Sequence, residues 1–250
     1  MEAILERVTD KHRLLAVARP LPDGSLRSLR DDFLVRYSHE TTALEGNTLS
    51  LQETQVVLEN GIAIGGKLLA EHLEVVNVRD AMIWLEDFVS SSDPVSEDTI
   101  LHLHSVIMRG LLGLQAGAYR RQAVRIVGAT HVPPNWVRVP DAMAAFVEGL
   151  HEDGEHPIIL AARAHLELAR IHPFVDGNGR VSRMLVNLVL ERAGYPPALY
   201  YSSDRNEYLD ALERAYSYAD EVPFIALTAR AVEVVLDQHL DLVAMGSESE

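Results

Sequence analysis

The sequence predicts an all-α protein that carries one short β-hairpin. Apolar residues recur three and four positions apart through most of the 250 residues, which is the spacing of one face of an α-helix. Residues that begin or end helices separate these apolar stretches. Strand-forming β-branched residues, bounded by glycine and by Pro133-Pro134, are almost confined to positions 124–132, where they predict a hairpin. We see no internal repeat and no low-complexity linker, so we expect one compact unit.

The N-terminal helices follow from their capping signals. A helical pattern runs from Leu29 towards Gly46, which is placed to end it. Ser50-Leu51-Gln52-Glu53 is a capping box that opens a helix ending near residue 61, and a long amphipathic helix is expected over 67–89. The glycine-rich stretch 61–66 lacks both the preceding strand and the Lys-Ser/Thr of a phosphate loop, so we interpret it as an inter-helix turn.

The later helices are predicted at about 96–109, 141–151, 157–171, 180–193, 204–218 and 223–243. Pro140, Pro157 and Pro223 fall in first-turn positions, where the N–H that proline lacks has no partner in any case, and Ser203 is a suitable N-cap. We expect an N-terminal helical region at 1–95, a core region at 96–245 and a disordered tail at 246–250.

Composition excludes several classes of protein. Asp and Glu number 37 against 22 Lys and Arg, and the resulting charge of −15 is spread along the chain, which is a poor match for nucleic acid or an anionic membrane. There is no cysteine, hence no disulfide or thiolate metal site, and His102, His104 and His165 form no cluster with metal-ligand spacing. No apolar run is long enough for a membrane span, and no N-terminal stretch resembles a signal peptide. We therefore expect a cytoplasmic protein.

One segment concentrates groups that can bind phosphate. It reads His172-Pro173-Phe174-Val175-Asp176-Gly177-Asn178-Gly179-Arg180-Val181-Ser182-Arg183. Gly177 and Gly179 permit a tight loop, and Asn178 between them can tie the loop to itself. A helix follows, and the free N–H groups of its first turn form an anion site. Arg180 and Arg183, three positions apart, lie on one face of that helix and can grip phosphate oxygens.

The same segment holds a base and a metal ligand. Asp176 is a hard oxygen donor beside the anion site and suits Mg²⁺. His172 has an ordinary pKa of about 6.5, so that it can be neutral at cellular pH and accept a proton from an attacking hydroxyl. Each residue alone fits a structural role, but capping a helix requires neither the second glycine nor the second arginine.

The segment resembles the signature of the Fic family, His-x-Phe-x-Asp/Glu-Gly-Asn-Gly-Arg-x-x-Arg, and every defined position is met. The resemblance implies a Fic-type helical bundle whose catalytic core covers 96–245. It implies an enzyme that transfers AMP from ATP to a hydroxyl side chain of a protein, with Mg²⁺ as cofactor. The roles carried over are His172 as catalytic base, Asp176 as the Mg²⁺ ligand, Gly177, Asn178, Gly179 and Arg180 on the α- and β-phosphates, and Arg183 on the γ-phosphate.

The predicted hairpin resembles the family's flap, which holds the target by strand addition. The docking residues implied are Val124, Arg125, Ile126, Val127 and Gly128. Tyr200, Tyr201 and Tyr208 resemble the segment that closes over the adenine in relatives, although a core position suits these tyrosines equally well. Ala215-Tyr216-Ser217-Tyr218 stands where close relatives often carry an Asn, so strict preference for adenine stays open.

A second stretch resembles the Fic inhibitory motif, Ser/Thr-x-x-x-Glu-Gly/Asn, which is matched by Thr41, Glu45 and Gly46. Glu45 follows a helix whose dipole disfavours a negative charge at this end, so it requires a cationic partner. The resemblance implies that this partner is Arg183 and that the ion pair withholds the arginine from the γ-phosphate. The chain thus resembles the class whose inhibitory helix, here about 30–46, is N-terminal in the same polypeptide.

Three functions are open on the sequence alone. The favoured one is a protein adenylyltransferase inhibited in cis by Glu45. The second is a de-AMPylase, or a transferase of another nucleotide or phosphodiester group, on the same scaffold. The third is a restrained, non-catalytic nucleotide-binding regulator. The expected partners are ATP and an unidentified target protein, and the resemblance is compatible with self-modification and with a homodimer. Nucleic acid and membrane are not expected partners.

Overall fold

The computed structural model describes residues 1–18, 23–91, 93–126, 128–151 and 154–247. Within these ranges the secondary structure consists of α-helices and short 3₁₀ turns, without a β-strand, which confirms the all-α prediction. The α-helices are α1 (Glu2–Ala18), α2 (Asp23–Ala43), α3 (Leu51–Asn60), α4 (Leu69–Ser90), α5 (Glu97–Ile107), α6 (Val139–Gly149), α7 (Pro157–Ile171), α8 (Asn178–Arg192), α9 (Arg205–Tyr218) and α10 (Val222–Ser247).

Helices α7 and α8 pack against each other at the centre of the molecule. Every residue of α8 from Arg180 to Leu188 is buried, so this helix contacts protein on all sides. One apolar core lies between α8 and helices α2, α4, α5 and α6. A second core lies on the opposite side, against α1, α9 and α10. The start of α8, where the signature glycines lie, is therefore held from two directions.

Helix α1 was predicted only as part of an N-terminal helical region. It packs on α10, with Val8 and Leu15 fully buried between the two helices. Arg7 and Lys11 both contact Glu233 at the surface of this pair. The buried residues of α1 are Leu5, Val8 and Leu15, which lie on the face that packs on the bundle.

Most of the capping signals act as predicted. Ser50 and Glu53 form the reciprocal capping box at the start of α3, and Gly61 ends this helix in the left-handed conformation. Residues 61–66 form a connection between helices, as expected. Ser203 is a correction, because it lies in the 3₁₀ turn 202–204, and the N-cap of α9 is Asp204.

The hairpin ladder predicted at 124–132 is not formed among the described residues. A tight turn is present, since the N–H of Ala129 donates to the carbonyl of Ile126 (3.3 Å). We call the chain before this turn the outgoing limb and the chain after it the returning limb. The returning limb, however, bonds to helices instead of to the outgoing limb. The N–H of Thr130 donates to Glu213 of α9, and the His131 ring contacts the Arg170 carbonyl of α7. Pro133 and Pro134 cannot donate to a ladder at all.

Two further predictions concern residues that lie partly or wholly outside the described part of the chain. Val127, expected in the flap, lies outside the described residues. Of the tail predicted at 246–250, the first two positions continue α10 and residues 248–250 lie outside the described part of the chain. None of the helices described is long and apolar enough to cross a membrane.

Candidate active site

The signature forms a tight loop between α7 and α8. His172 ends α7 in the left-handed conformation (φ 50°), and its N–H donates to the Leu168 carbonyl (2.9 Å). The Asn178 side chain spans the loop, because its Nδ2 donates to the Phe174 carbonyl and its Oδ1 accepts from the Phe174 N–H, both at 3.0 Å. This is the self-tie that the sequence suggested for Asn178. The side chain is consequently engaged within the loop, and its backbone N–H faces the helix start.

His104 of α5 supports this loop from below. Its ring stacks on Phe174 with the ring centroids 3.7 Å apart. Nδ1 accepts from the Gly117 N–H (2.9 Å), so Nε2 carries the proton and donates to the Asp176 carbonyl (3.1 Å). Burial lowers the pKa of His104 to about 4, which keeps the ring neutral. The sequence indicated only that His104 belongs to no metal-spaced cluster, and its support of the signature loop was not visible there.

His172 is half-buried, with one ring nitrogen engaged. Nδ1 lies 3.2 Å from the Ala169 carbonyl, which can only accept, so the proton belongs on Nδ1 and Nε2 keeps its lone pair. Burial lowers the pKa of His172, and the nearby charge of Arg120 lowers it further. The ring is therefore a neutral proton acceptor at cellular pH.

Arg120 is a site residue that the sequence reasoning did not single out. Its side chain is buried and donates from Nε to the His172 carbonyl (2.8 Å) and from Nη2 to the Pro134 carbonyl (2.6 Å). Its own N–H donates to Pro173 (2.9 Å). Arg120 therefore connects the two limbs of the flap segment to the loop that carries His172. Nothing in the local sequence distinguishes it from the exposed Arg121 beside it.

The Glu45 carboxylate lies over the first turn of α8. A Cβ atom built on Gly179 would overlap Glu45 Oε1 and would lie 3.1 Å from Arg183 Nη1. The amides of this turn have no carbonyl one turn earlier with which to bond, as at any helix start. A negative group at this place is favoured by those amides and by the positive end of the helix dipole.

Arg183 is buried, with 1% of its side chain exposed, and it joins α8 to the end of α2. Nε donates to Thr41 Oγ1 (2.6 Å), and Nη2 donates to the Thr41 carbonyl and to Glu45 Oε1, both at 2.8 Å. Burial opposes the charge of Arg183, but Tyr208 and Glu45 outweigh it and raise the arginine's pKa. Burial likewise opposes the charge of Glu45, but Arg183 outweighs it and lowers the carboxyl's pKa. Both partners are therefore ionised.

Arg180 and Asp176 lie side by side, and their side chains are held less tightly than that of Arg183. Arg180 is 3% exposed, but its contacts with Glu74 and Asp176 are 3.4 Å long, and its Nε has no hydrogen-bond partner. Asp176 is 62% exposed, and its Oδ1 accepts from the Gly177 N–H (2.6 Å). A buried guanidinium so loosely held can accept an anionic ligand, and the open carboxylate beside it can accept a cation.

The tyrosines expected to contact the nucleotide base lie in two environments, and these contacts stay a prediction. Tyr200 and Tyr208 are buried at 4% and 5% exposure and pack with Phe224 and His165 in the second core. The Tyr208 hydroxyl lies between His165 Nε2 (2.7 Å) and Arg183 Nη1 (3.2 Å). Aromatic packing and a satisfied hydroxyl explain why these rings are in the core. Tyr201 is half-buried and is the member of the set that reaches the surface.

The flap segment lies beside this loop. Val124 and Arg125 line a groove together with residues 132–136 of the returning limb. Ile126 and Gly128 form the turn, with Gly128 at φ +80°. The structure thus brings together His172, Asp176, Gly177 to Arg180, Arg183 and Glu45, with the flap segment adjacent through Arg120.

Comparisons with known proteins relate this chain to one family. A model of the Fic/DOC family matches residues 94–190. The protein adenylyltransferase Fic of Nematostella vectensis is 34% identical over 246 residues, which cover 96% of this chain and 56% of the relative. The chain spans about half the length of the curated relatives that it matches.

Solved structures of this family have the same fold. Fic-1 of C. elegans superposes with a TM-score of 0.89 at 32% identity, covering 99% of this chain and 73% of that one. A Fic-domain signaling protein from Bacteroides thetaiotaomicron superposes with a TM-score of 0.87 at 25% identity, covering 96% and 98%. The helical bundle with a signature loop before its central helix is thus a Fic domain. The chain belongs to the Fic/DOC family.

Proposed function

We propose that this chain is a protein adenylyltransferase, which transfers AMP from ATP to a hydroxyl side chain of a target protein, and that Glu45 restrains it in cis. Its family and the name of its curated relatives, protein adenylyltransferase Fic, support the activity. The observation that carries the restraint is the Glu45–Arg183 ion pair over Gly179. A carboxylate there occupies an anion site suited to nucleotide phosphate.

In the proposed reaction, His172 is the general base. The target's hydroxyl oxygen attacks the α-phosphorus of ATP, its proton passes to His172 Nε2, and the bond from the α-phosphorus to pyrophosphate breaks. The left-handed backbone of His172 and the bonds to Ala169 and Arg120 support a single orientation of the ring. A positioned base of this kind contributes typically about 10²–10⁴-fold in rate.

The phosphates would be held by the start of α8. The amides of Asn178 and Gly179 and the guanidinium of Arg180 are suited to the α- and β-phosphates, and Arg183 to the γ-phosphate. The unpartnered Nε of Arg180 supports this assignment, since a buried donor without a partner is costly unless a ligand supplies one.

The residues present fit Mg²⁺ as a cofactor. The described residues contain no group of three or more His, Cys, Asp or Glu side chains that could hold a metal by themselves. Asp176 offers one open, hard carboxylate, and Mg²⁺ typically combines one or two carboxylates with substrate phosphates. When bound with ATP, the ion would neutralise phosphate charge and so favour departure of pyrophosphate.

Removal of AMP from a modified protein is a second candidate. The observation that favours it is the exposure of Glu45, whose side chain is 41% exposed although one oxygen is bonded to Arg183. Its second oxygen could orient a water towards a phosphodiester. Transfer and removal differ in the expected effect of Glu45, because loss of this carboxylate stimulates the first and abolishes the second.

Intact-protein mass spectrometry after incubation with ATP and Mg²⁺ tests the proposal. Glu45→Gly should acquire adenylyl groups much faster than the wild type, because Arg183 becomes available to the γ-phosphate. Glu59→Gly, a matched change at the end of α3, should behave as the wild type. Glu45→Gly combined with His172→Ala should remain unmodified. Self-modification and the expected homodimer are predictions, and an analytical ultracentrifugation run on the same sample tests the second.

Arg183 supplies a second arm of this experiment. Arg183→Ala breaks the same ion pair but also removes the proposed phosphate ligand, so it should not activate. The double variant with Glu45→Gly should resemble Arg183→Ala, a non-additivity typical of two residues that share one interaction. If Glu45→Gly modified neither itself nor any added protein above the wild-type rate, the proposed restraint would be wrong.

A further inference from the structure

The flap face is basic in an otherwise acidic chain. We define the flap face as residues 121–126 and 128–138. The sequence contains no Asp or Glu between Asp98 and Asp141, although acidic residues exceed basic ones by 37 to 22 overall. The flap face itself carries the arginines Arg121, Arg125 and Arg138. A local excess of positive charge on a chain of charge −15 attracts partners that the rest of the surface repels.

The three arginines of this face are unpaired. Arg121, Arg125 and Arg138 are all exposed, and no side-chain hydrogen bond or ion pair is formed by any of them with the described chain. Exposed arginines elsewhere generally have a partner, as Arg7 has in Glu233 and Arg30 in Glu86. Although carboxylates are abundant in the chain, none in its described part pairs with any of these three arginines.

Two acidic residues that border the flap segment bond to hydroxyl groups. Glu97 of α5 accepts from the Tyr119 hydroxyl (2.8 Å). Glu213 of α9 accepts from the Thr130 hydroxyl and from Ser217. These carboxylates fasten the edges of the flap segment to the bundle and leave the arginines available.

The same face exposes large apolar side chains. Val132 and Val137 are each 61% exposed, and the ring of Trp136 is 41% exposed. A groove between the two limbs is lined by Val124 and Arg125 on one side and by residues 132–136 on the other. Exposed aromatic and apolar groups next to arginine have the composition of a protein-binding surface.

The groove also offers backbone groups. Among the described residues the two limbs form no ladder with each other, and the bonds of Thr130 and His131 tie the returning limb to α9 and α7. The N–H and C=O groups of residues 123–125 are consequently open to an extended segment of another protein. Arg121 lines a cavity with Val175 of the signature loop, so such a segment would reach the site of His172.

We propose that the flap face selects target proteins through an extended acidic segment that carries a large apolar side chain next to the hydroxyl to be modified. The carboxylates would pair with Arg121, Arg125 and Arg138, and the apolar side chain would occupy the groove beside Trp136. Which reaction follows rests on the proposed function, but recognition of the segment does not. Nucleic acid is disfavoured, because three arginines cannot offset the repulsion of a backbone by a chain of charge −15.

Fluorescence anisotropy with labelled peptides tests this proposal without a known target. One peptide carries glutamates, a tryptophan and a threonine. The second replaces each glutamate by lysine, and the third replaces the tryptophan by alanine. The first peptide should bind the full chain most tightly, and the preference over the second should shrink as salt is raised.

Matched variants locate the site. Arg125→Glu and Arg138→Glu should each weaken binding of the acidic peptide by about fivefold and strengthen binding of the lysine peptide, given that an exposed ion pair contributes up to about 1 kcal/mol. Arg27→Glu is the control, because Arg27 of α2 is the other exposed, unpaired arginine in the described part of the chain. It alters the net charge equally and should leave both affinities unchanged.

Several outcomes would overturn the proposal: equal binding of the glutamate and lysine peptides, equal loss from Arg27→Glu and Arg125→Glu, or tighter binding of a single-stranded oligonucleotide than of the acidic peptide. Transfer is scored separately with Glu45→Gly and ATP. Selective binding without any transfer would leave the recognition surface in place and refute the proposed function. Transfer to self or to other proteins without selective peptide binding would support the proposed function and refute the proposed recognition surface.

Discussion

Arg183 illustrates how a single buried charge determines the state of this site. Among the fully buried side chains of the described chain it has the largest volume, and it donates hydrogen bonds to Thr41, Glu45 and Tyr208. A buried guanidinium cannot lose an anionic partner without replacement by water or by another anion. In the proposed mechanism a nucleotide phosphate takes the place of Glu45 beside Arg183, so that carboxylate and nucleotide compete for this arginine.

The protonation of His172 leads to the first prediction at this scale. Since transfer needs a neutral imidazole, activity should fall as the pH drops through the pKa of His172. Burial and Arg120 lower that pKa, so the inflection should lie below 6.5. Arg120→Gln removes the positive charge and should move the inflection upwards. The measurement is kcat/KM against pH in the Glu45→Gly background.

Arg120→Lys is the control for this prediction. It retains the charge, so the acid limb of the profile should stay in place even if the rate falls through altered geometry of the flap. A profile that shifted equally for Arg120→Gln and Arg120→Lys would show that Arg120 acts on the loop conformation alone. The electrostatic part of the argument would then be wrong.

Asp176 gives a second prediction, on metal dependence. Asp176→Ala should weaken ATP binding in the presence of Mg²⁺ and leave metal-free binding nearly unchanged, because the proposed contact with the protein is made through the cation. Isothermal titration with and without Mg²⁺ measures both. Asp141→Ala, which removes an exposed carboxylate from the first turn of α6, should preserve the metal dependence. Identical titrations for Asp176→Ala and wild type would remove Asp176 from the site.

At the scale of elements, the turn after α2 determines where Glu45 lies. Helix α2 ends at Ala43, and the N–H of Glu45 donates to the Thr42 carbonyl (3.0 Å). Arg205 at the start of α9 donates to the Leu44 carbonyl (2.9 Å). Gly46 then adopts φ +104°, which side chains other than glycine rarely tolerate. The Glu45 carboxylate therefore stands on a short turn that is held by α9.

Gly46→Ala tests the dependence of inhibition on this turn. No atom would contact the added Cβ, so its effect is backbone strain, of the order of 1–3 kcal/mol for such a position. Relief of this strain by opening of the turn should raise basal self-modification by about tenfold, since about 1.4 kcal/mol corresponds to a factor of ten. Gly61→Ala adds the same methyl at a left-handed helix end remote from the site. It should lower stability without raising the rate, and equal activation by both variants would contradict the mechanism.

At the scale of the whole molecule, the candidate site depends on the two apolar cores that lie on either side of α8. The α1–α10 pair covers one core, and α2 with α4 covers the other. Because the signature helix lies between them, loosening of either core should disturb the candidate phosphate site.

The last turn of α8 contains one group that is poorly suited to burial. Glu191 is partly buried near Glu86, and its side chain makes no hydrogen bond or ion pair with the described chain.

Glu191 therefore predicts a pH dependence of stability. Burial, followed by the charge of Glu86, raises the pKa of Glu191 from 4.5 to about 8. An unfolded chain releases this proton near 4.5 and the folded chain only near 8, so stability should fall by a few kcal/mol as the pH rises through that window. Glu191→Gln should abolish this part of the slope in urea unfolding and be most stabilising at the alkaline end. Glu59→Gln, on the exposed end of α3, should leave the slope unchanged. A wild type and Glu191→Gln with parallel profiles would refute the shift.

The sequence predicted the features that depend on neighbours along the chain. The helices, the capping box at Ser50, the loop tie through Asn178 and the sharp turn at Gly46 all follow from residues a few positions apart. Ser203 shows the limit of such signals, since a good N-cap residue was displaced by one position when a 3₁₀ turn preceded α9. Local spacing determines backbone conformation and hydrogen bonding over one or two turns of a helix, and it does not determine contacts beyond that range.

By itself, then, the sequence determined that this chain is a helical bundle whose residues 172–183 follow the order typical of the Fic family. That this segment binds phosphate and supplies a base stays a prediction. The ion pair of Arg183 with Glu45, 138 positions apart, was expected only from the family resemblance, and the structure forms it. Only the tertiary structure decided that Tyr200 and Tyr208 are core residues and that Arg120 joins the flap to His172. It also decided that the returning limb of the flap bonds to α9 and α7, through Thr130 and His131. The physical reason is that burial and long-range pairing depend on which helices pack together, and that packing is a property of the whole chain.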